Sequence, residues 1–491
     1  MRICERAINF LQIDDYDGEG SVRLCGWKRT KHAGYVGSLK TQTLYEIWHG
    51  EEATRVRKLL AAGDYSECNI DQCPYLSQGT IEEHRLELDE VPEWPDHLYL
   101  AYDHHCNYFC KMCNQGNRDG NRDAHYDMIY EKIKDILPHL KFISANGLGE
   151  LFVSRHILKI LSEWRPLAPK EECSVALETN GSLFDEKHWK QIENLGQYHL
   201  YVAITVLSFD EATYQFCSGT KLPISQIENN LKFVKSLRDK GIINFLDLAT
   251  VVQERNFRTL PELTRRFIDE FGADVVRLRP FDDTGTQPPE VEWFMDVRGA
   301  YHPYHQEYLE VMKDPIFKHP KVSDWSGGRD SENPDLKTYL SQHGWPIGET
   351  SAPPQCTPPE SPKDKANYDV IKVFAVEEKM PAKLAKYFLL HRINRVAVHG
   401  LSFVAHAFLE ALEKTDVAID RIIDKRLCGC PSHGLTVSGV GDLPTDYTVP
   451  IIVTAPFYFE EIKREIEQRV PYPCIINIKD IVDEVGCSIP E

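Results

Sequence analysis

The chain has 491 residues, which is long enough for about two to four ordinary domains. Hydrophobic residues make up 42% of it, enough for packed cores, while its net charge of −19 at pH 7 argues against a surface that coats nucleic acid. No apolar run approaches the roughly 20 residues of a membrane span, and the first residues do not form an apolar signal segment. The sequence therefore predicts a cytoplasmic protein without nucleic-acid or membrane partners. In such a protein the 14 cysteines indicate metal ligation in preference to disulfide bonds.

Residues 1–90 contain four cysteines, and the first two flank a predicted hairpin. Apolar residues predict strands over Ile8 to Ile13 and over Ser21 to Leu24, joined by an acidic turn that contains glycine. A hairpin brings the residues that flank its two strands near each other, so we expect Cys4 and Cys25 to meet at its open end.

The other two cysteines follow a predicted helix. Basic residues are spaced along Glu51 to Ala62, and Gly63 is a typical helix stop. Cys68 and Cys73 come next, so all four thiols can be gathered in one place. Four thiolates can ligate every iron of a [4Fe–4S] cluster, and a zinc ion with the same four ligands is the alternative.

This N-terminal segment resembles a SPASM domain, the auxiliary iron–sulfur module of many radical S-adenosylmethionine (SAM) enzymes. The resemblance implies an auxiliary [4Fe–4S] cluster that transfers electrons, with structural support of the barrel as the alternative. The family usually carries this module last and with two clusters, whereas here it comes first and has cysteines for one. The residues that carry the resemblance are Cys4, Gly20, Cys25, Leu44-Tyr-Glu-Ile-Trp48, Arg57, Gly63, Cys68 and Cys73. The acidic stretch from Glu82 to Pro95 is predicted to be a linker.

Residues 96–290 open with three cysteines in the segment Cys106-Asn-Tyr-Phe-Cys110-Lys-Met-Cys113. The stretch from His97 to Tyr102 alternates apolar side chains as a strand does, so the cysteines lie on a loop at a strand end. Three thiolates can hold three irons of a [4Fe–4S] cluster and leave the fourth iron open. A structural zinc ion, with His104 or His105 as fourth ligand, and disulfides are the alternatives.

The spacing C-x3-C-x2-C resembles that of the radical SAM superfamily. The resemblance implies that the open iron binds SAM, that SAM is cleaved reductively to a 5′-deoxyadenosyl radical, and that this radical takes a hydrogen atom from the substrate. It makes Cys106, Cys110 and Cys113 the cluster ligands and Met112 a cofactor-binding residue. A flavodoxin- or ferredoxin-like electron donor is expected with it. The cofactor supplies such radical chemistry, while the protein binds and positions it.

Three later elements of the same segment match the family. A predicted strand over Lys141 to Ala145 runs into Asn146-Gly-Leu-Gly-Glu150, where glycines let the backbone approach a ligand and a carboxylate can accept from an ammonium group. The resemblance implies that Gly147, Gly149 and Glu150 bind the SAM amino group. It likewise implies SAM contacts for Thr179 and Asn180 after the third strand and for Thr205 at the end of the fourth. Leu207 and Ser218 stand where the family usually has Asp and Arg, so the resemblance assigns no carboxylate-binding Arg at these positions.

About six strand–helix steps run through residues 96–290. Each implies a parallel strand with a right-handed crossover, which predicts a partial (β/α)6 barrel with its site at the carboxyl ends of the strands. Arg279, just past the last predicted strand, has three interpretations: a contact to an anionic substrate, a contact to the SAM carboxylate, or a surface ion pair.

The remaining residues form two further segments. Residues 291–368 are predicted to be an irregular extension and linker, with one helical piece near Tyr304 to Lys313. Residues 369–491 resemble a small Rossmann-like α/β domain, in which Gly400 occupies the phosphate turn and Asp424 the position of a ribose-binding acid. The dinucleotide pattern needs three glycines and this turn has one, so a substrate-anchoring or docking module is favoured over nucleotide binding.

Together these features predict an α/β protein with a radical SAM domain, a SPASM-like auxiliary domain and a Rossmann-like domain. The predicted function is hydrogen abstraction from a small metabolite or nucleotide-linked sugar, with no catalytic side chain assigned. Two alternatives stay open: a peptide- or protein-modifying enzyme of the same superfamily, and a non-catalytic iron–sulfur or zinc scaffold. Oxidoreductase, dehydratase and epimerase chemistry are not distinguished.

Overall fold

The structure is a computed structural model that falls into two compact units, described separately here. The first consists of residues 1–286 and 310–353, and the second of residues 287–309 and 354–491. The residues that the structure describes are 2–15, 18–26, 35–68, 73–77, 79–87, 89–110, 112–113, 122–145, 148–281, 295–299, 302, 304–324, 362–376, 379–425, 427–429 and 431–486.

The first unit is built on one large mixed sheet. Its strands are β1 (Arg2–Cys4), β2 (Phe10–Asp14), β3 (Ser21–Arg23), β4 (Tyr35–Ser38), β5 (Arg85–Glu87), β6 (His97–Ala101), β7 (Phe142–Ala145), β8 (Ser174–Thr179), β9 (His199–Thr205), β10 (Phe245–Val251), β11 (Val275–Arg279) and β12 (Val322–Asp324). Ten of these strands form one sheet within the described residues, in the order β12-β11-β10-β9-β8-β7-β6-β2-β3-β4. Strands β1 and β5 pair with each other in a separate two-stranded sheet.

The predicted α/β barrel is confirmed and is wider than expected. Strands β6 to β11 pair in parallel in chain order, as the six predicted steps require. Strand β12 adds a parallel neighbour to β11, and β2 adds one to β6, so both edges of the six-stranded series are extended. Because the pairing is parallel, the carboxyl ends of these strands lie at one rim, where an α/β fold carries its site.

Helices cover the outside of this sheet, and the inside is filled at its base by small and aromatic side chains. The helices of the first unit are α1 (Arg6–Asn9), α2 (Leu44–Trp48), α3 (Glu51–Ala61), α4 (Pro74–Ser77), α5 (Asp123–Ile133), α6 (Arg155–Glu163), α7 (Glu186–Trp189), α8 (Glu211–Ser218), α9 (Ile224–Asp239) and α10 (Leu260–Asp269). Short 3₁₀ turns connect several elements, and one of them, Leu151–Val153, follows β7 at the rim. The cluster at the base of the interior consists of Phe142, Ala176, Tyr201, Ala203, Phe245 and Val275.

Three predictions for residues 1–95 need correction. Ile8 and Asn9 belong to helix α1 and not to a strand, because the hairpin strand β2 begins only at Phe10. The predicted linker begins with ordered structure, since β5 pairs antiparallel with β1. The N-terminal segment also shares the barrel's sheet through β2, where we expected a flanking domain.

The second unit contains the predicted Rossmann-like sheet. Four parallel strands follow the order β14-β13-β17-β18, and a two-stranded hairpin joins β15 to β16. The strands are β13 (Arg395–His399), β14 (Ala418–Ile423), β15 (Pro431–Ser432), β16 (Leu435–Thr436), β17 (Ile451–Val453) and β18 (Ile475–Asn477). Its long helices are Pro362–Val376, Met380–Leu390, Phe403–Leu412, Phe459–Arg469 and Ile478–Gly486.

The helical piece in the irregular extension is His305–Val311, which crosses the division between the units. No helix in the described part of the chain combines the length and apolar character needed to span a membrane.

Candidate functional site

The three closely spaced cysteines lie on the loop that leaves β6 at the rim of the barrel. The backbone N–H of Tyr108 donates to Cys106 Sγ at 3.4 Å, and the N–H of Phe109 donates to the carbonyl of Ser218 at 2.9 Å. Burial raises the pKa of Cys106 to about 11. Burial, followed by the neighbouring Cys113 and Cys106 thiols, raises the pKa of Cys110 well above its usual range. Because such a Coulombic effect falls with distance, the thiols of Cys106 and Cys113 lie near that of Cys110.

The helix that supports this loop also needs a glycine where it ends. Helix α8 is capped by Gly219 in the left-handed conformation, with φ of +63°. A Cβ built there would lie 2.2 Å from the carbonyl oxygen of Phe109, so the backbone of the cysteine loop packs directly on this turn. The hydroxyls of Tyr108 and Tyr214 also share a very short hydrogen bond. Ser218 therefore supports the cysteine loop through its carbonyl.

The glycine–glutamate segment after β7 packs against the cysteine loop through its backbone. A Cβ built on Gly149 would lie 2.4 Å from the carbonyl oxygen of His105 and 2.6 Å from that of Asp103. The N–H of Glu150 donates to the same His105 carbonyl at 2.8 Å. Glycine is thus required at position 149 by close approach. Gly147, the other predicted glycine, lies outside the described residues.

The carboxylate of Glu150 is buried and joins the ends of β7 and β8. Its Oε1 accepts from the Thr179 hydroxyl at 2.6 Å and from the Phe152 N–H at 3.2 Å, while its Oε2 accepts from the Asn180 N–H at 2.7 Å. Glu150 is 2% exposed, and burial raises the pKa of its carboxyl despite these donors. A carboxylate can accept about four hydrogen bonds, so Oε2 keeps a lone pair for a further donor.

Asn180 connects this network to the first cysteine. Its Nδ2 donates to Asn107 Oδ1 at 3.0 Å and lies 3.9 Å from Cys106 Sγ. Asn107 in turn donates to the Ser182 hydroxyl at 2.8 Å. The structure therefore brings Cys106, Glu150, Thr179 and Asn180 together at one rim, as the sequence predicted for the SAM site.

Met112 and Thr205 occupy other strand ends of the same barrel. The Met112 sulfur accepts from Gln253 Nε2 at 3.7 Å, which links the cysteine loop to the segment after β10. Thr205 is the last residue of β9 and is half-buried. Gln253 was not predicted. It is fully buried, and its Oε1 has no hydrogen-bond partner among the described residues. No sequence motif marks Gln253, because only the fold brings it to Met112.

The four N-terminal cysteines form a second group. Cys4 ends β1, Cys25 follows β3, Cys68 follows α3, and Cys73 directly precedes α4. Burial, together with the smaller effects of the neighbouring Cys25, Cys73 and Cys68 thiols, raises the pKa of Cys4 to about 12. The structure therefore brings the thiols of Cys25, Cys68 and Cys73 within electrostatic range of Cys4.

Arg57 holds this second group's framework together. Its Nε donates to the Ala7 carbonyl at 2.8 Å and its Nη1 to the Trp48 carbonyl at 2.6 Å, and the guanidinium lies 4.0 Å above the Trp48 ring. These contacts tie α3 to α2 and to the segment that follows Cys4. A buried arginine that satisfies backbone carbonyls in this way fixes the positions from which the thiols project.

The donor sets fit iron–sulfur clusters. Within the described residues, no three Cys, His, Asp or Glu side chains gather closely enough to hold one metal ion. Each group is instead a set of neighbouring thiols, and cluster irons bind such sulfurs as thiolates. Three thiols leave one iron of a cluster without a protein ligand, while four leave none.

In the second unit, the carboxylate of Asp424 accepts hydrogen bonds from backbone N–H groups, including one in the turn after β13. Gly400 has the left-handed φ of +92° expected of a tight turn. Asp424 Oδ2 accepts from the Leu401 N–H at 2.8 Å, and Oδ1 accepts from the Leu427 N–H at 3.1 Å. The predicted ribose-binding acid therefore holds the backbone of the turn that would have to receive a phosphate.

A parallel barrel with cysteine thiols at its strand ends and a second thiol group beside β1 is the architecture of an iron–sulfur enzyme. Residues 104–267 match the family model described as "Radical SAM superfamily", and residues 7–74 match the SPASM model described as "Iron-sulfur cluster-binding domain". The chain is thus a radical SAM enzyme with a SPASM domain ahead of its radical SAM domain, and its cofactors are SAM and [4Fe–4S] clusters. No curated protein matches the chain.

Solved structures of similar fold are distant. SuiB of Streptococcus suis bound to precursor peptide SuiA is 16% identical, with 66% of this chain and 72% of that chain covered and a TM-score of 0.33. SuiB bound to SAM is 14% identical, with 57% and 64% covered and a TM-score of 0.33. The radical SAM methyltransferase TsrM of Kitasatospora setae, with cobalamin and a [4Fe–4S] cluster bound, is 14% identical, with 36% and 34% covered and a TM-score of 0.24. Likeness at this level carries no argument about the substrate.

Proposed function

We propose that this enzyme cleaves SAM at the rim of the barrel and abstracts a hydrogen atom from a small polar metabolite held inside the barrel. The observation that carries the proposal is the network that joins Cys106, Asn180, Thr179 and Glu150. Three separate strand ends converge in it, and each supplies a group that suits either a cluster or an amino acid.

Cys106, Cys110 and Cys113 would hold the open cluster. When bound, the cluster would give one electron to SAM, whose cleavage yields methionine and a 5′-deoxyadenosyl radical that takes a hydrogen atom from the substrate. The N–H of Tyr108 and the amide of Asn180 are donors to the Cys106 sulfur, and donors to cluster sulfurs tune the reduction potential.

Glu150 would bind the amino group of SAM. The free lone pair on its Oε2 suits an ammonium donor, and the buried site strengthens a charge-assisted hydrogen bond. Thr179 and Asn180 hold the carboxylate in place, while Gly149 lets the backbone pass close to the cysteine loop. Met112, Thr205 and the amide oxygen of Gln253 complete the set of groups proposed for SAM.

The polar side chains on the inner wall of the barrel favour a polar substrate. Above the apolar base, Tyr99, Glu178 and Thr205 are half-buried, and the Tyr99 hydroxyl donates to Glu178 at 3.5 Å. Polar side chains that converge in a concave site fix the orientation of a ligand. A small metabolite or a nucleotide-linked sugar has hydroxyl groups that match such a wall.

Cys4, Cys25, Cys68 and Cys73 would hold the auxiliary cluster. With four thiolates it has no open iron, so its proposed role is to accept the electron left when a substrate radical is oxidised. A flavodoxin- or ferredoxin-like protein is the proposed donor to the open cluster.

The test is anaerobic reconstitution followed by reduction with dithionite in the presence of SAM. The proposal predicts 5′-deoxyadenosine, and a faster release of it on addition of the small-molecule filtrate of a cell extract. An extract retentate that accelerates release while the filtrate does not would contradict the small-metabolite substrate and favour a peptide or protein. Absence of 5′-deoxyadenosine from fully loaded enzyme would contradict SAM cleavage itself.

A further inference from the structure

Two arginines lie on the same face of β11, two residues apart. Arg277 and Arg279 pair with Ala249 and Val251 of β10, and alternate residues of a strand face the same side. Arg277 is 1% exposed, and its guanidinium donates to Tyr201 at 2.9 Å and forms an ion pair with Asp247. The face is therefore the interior of the barrel, because Tyr201 belongs to the cluster at its base.

Arg279 lies one step nearer the rim and differs from Arg277 in its partners. It is half-buried, and its carbonyl still accepts from the Val252 N–H at 2.8 Å, so its backbone belongs to the sheet. Its Nε is a buried atom with no hydrogen-bond acceptor, and within the described residues no carboxylate forms an ion pair with its guanidinium. Asp247, the acid on the neighbouring strand, is committed to Arg277.

A permanent cation with a buried, unsatisfied donor is a costly arrangement unless a ligand completes it. The planar guanidinium offers paired N–H groups that match the two oxygens of a carboxylate or phosphate. The carboxyl ends of barrel strands are also where an α/β fold binds its ligands. Within the described part of the chain, Arg279 therefore has the charge, the position and a buried N–H donor without an acceptor, as an anion-binding residue requires.

We propose that Arg279 binds a carboxylate or phosphate oxyanion of the substrate inside the barrel. This inference rests on the proposed function and narrows its substrate class to small polar molecules that carry an anionic group. SAM itself also carries a carboxylate, and it is the competing source of the same chemistry. The experiment therefore has one arm for SAM and one for other anions.

The first measurement is phenylglyoxal labelling of the loaded wild-type enzyme, followed by peptide mass spectrometry. We expect Arg279 to be labelled roughly tenfold faster than Arg277, since the fully buried, ion-paired Arg277 reacts only after local opening. Pyrophosphate and succinate, tested separately as probes of phosphate and carboxylate, should slow labelling of Arg279 in the presence of saturating SAM. Labelling of the exposed Arg265, which pairs with Asp314 at 2.6 Å on the outside, should not respond.

The second measurement separates the substrate from SAM. Arg279→Met should leave the SAM dissociation constant and the uncoupled release of 5′-deoxyadenosine within about twofold, and should abolish the anion protection; Arg265→Met is the matched control. A roughly tenfold weaker SAM affinity in Arg279→Met, the effect of losing a charge-assisted contact, would assign Arg279 to SAM and overturn the proposal.

Absence of protection by both anions in the wild-type enzyme would overturn it as well. These results are independent of turnover. If the wild-type enzyme fails to cleave SAM, the proposed function fails, while the labelling still reports whether Arg279 binds an anion.

Discussion

The two cysteine groups of this enzyme are similar in chemistry and different in construction. Cys106, Cys110 and Cys113 come from one loop at the rim of the barrel, whereas the four N-terminal cysteines come from four places along about seventy residues of chain. Burial raises the pKa of Cys110 in the first group and of Cys4 in the second, and neighbouring thiols contribute to both increases. The loop group is surrounded by polar side chains of other strand ends, such as Glu150 and Asn180.

This difference shows how a chain can make one cluster reactive and another inert. A cluster with three protein thiolates must take a ligand from solution, and the groups around it decide which ligand that is. A cluster with four thiolates is closed and needs no ligand from solution. The residues around it keep the backbone rigid, as Arg57 does by linking α3 to the carbonyls of Ala7 and Trp48. Variants that change one cysteine group at a time, or a residue that packs on it, therefore distinguish the two roles.

The largest effect is expected from Cys106→Ala, Cys110→Ala and Cys113→Ala combined. Iron should fall from about eight to about four atoms per chain, because only the closed cluster remains. Release of 5′-deoxyadenosine should be abolished. Cys173→Ala, which removes a buried thiol at the amino end of β8, is the control and should change neither quantity. SAM cleavage by the triple variant would contradict the assignment of the open cluster.

The converse change is the Cys25→Ala, Cys73→Ala double variant. It should also keep about four irons, yet retain uncoupled SAM cleavage and lose turnover of the substrate. The double variant of the exposed cysteines, Cys428→Ala with Cys474→Ala, is the matched control. Full substrate turnover in the first variant would favour a structural role for the auxiliary cluster, and zinc at this site in anaerobically purified protein would contradict a cluster there.

Gly149→Ala tests whether packing holds the open site together. A Cβ at this position would meet backbone atoms of Asp103 and His105 at 2.4–2.6 Å, so the cysteine loop must shift. We expect loss of the open cluster alone, seen as a fall of about four irons with the closed cluster retained. Gly441→Ala is the control, because a Cβ there meets nothing within 4 Å. Unchanged iron content would show that the loop tolerates displacement.

Glu150→Gln should weaken SAM binding by roughly tenfold to a hundredfold, since a carboxylate–ammonium contact contributes on the order of 2–3 kcal/mol. The amide also turns an N–H group towards one of the three donors that Glu150 now accepts from, so the melting temperature should fall by a few degrees. Isothermal titration with SAM at constant iron content is the measurement. Glu163→Gln, which changes an exposed carboxylate bonded to Tyr130, is the control. An unaltered SAM affinity would mean that Glu150 serves the turn alone.

Much of the fold could be predicted because its elements are local patterns. The alternation of β6 to β11 with helices is visible in apolar periodicity and in glycines such as Gly241, and the observed strands β6 and β7 differ from the predicted ones by one residue each. Helix α1 was mistaken for part of a strand, because four residues with buried Ala7 and Ile8 are too few for periodicity to separate the two. Strand β12 was missed because three residues after a long irregular stretch carry no pattern of their own.

The site residues likewise divide into those that local motifs reveal and those that only the fold brings to the site. Cys106, Glu150 and Thr179 are found in motifs whose spacing is fixed along the chain. Gln253 and Tyr214 reach the cysteine loop only because the fold brings separate strand ends together, so their contacts with Met112 and Tyr108 join residues more than a hundred positions apart. The ion pair that neutralises Arg277 is likewise a property of neighbouring strands, as is the lack of a carboxylate partner for Arg279 among the described residues. The sequence had left Arg279 with three interpretations.

The most direct test of the central claim is electron paramagnetic resonance of the reduced enzyme with and without SAM, recorded on the two cysteine variants. In Cys25→Ala with Cys73→Ala, where only the rim cluster remains, we predict that SAM changes the spectrum, because the open iron takes it as a ligand. In the variant that lacks Cys106, Cys110 and Cys113, we predict that SAM leaves the spectrum unchanged. A SAM-dependent change in that triple variant would contradict the account, since it would mean that the N-terminal cluster has the open iron.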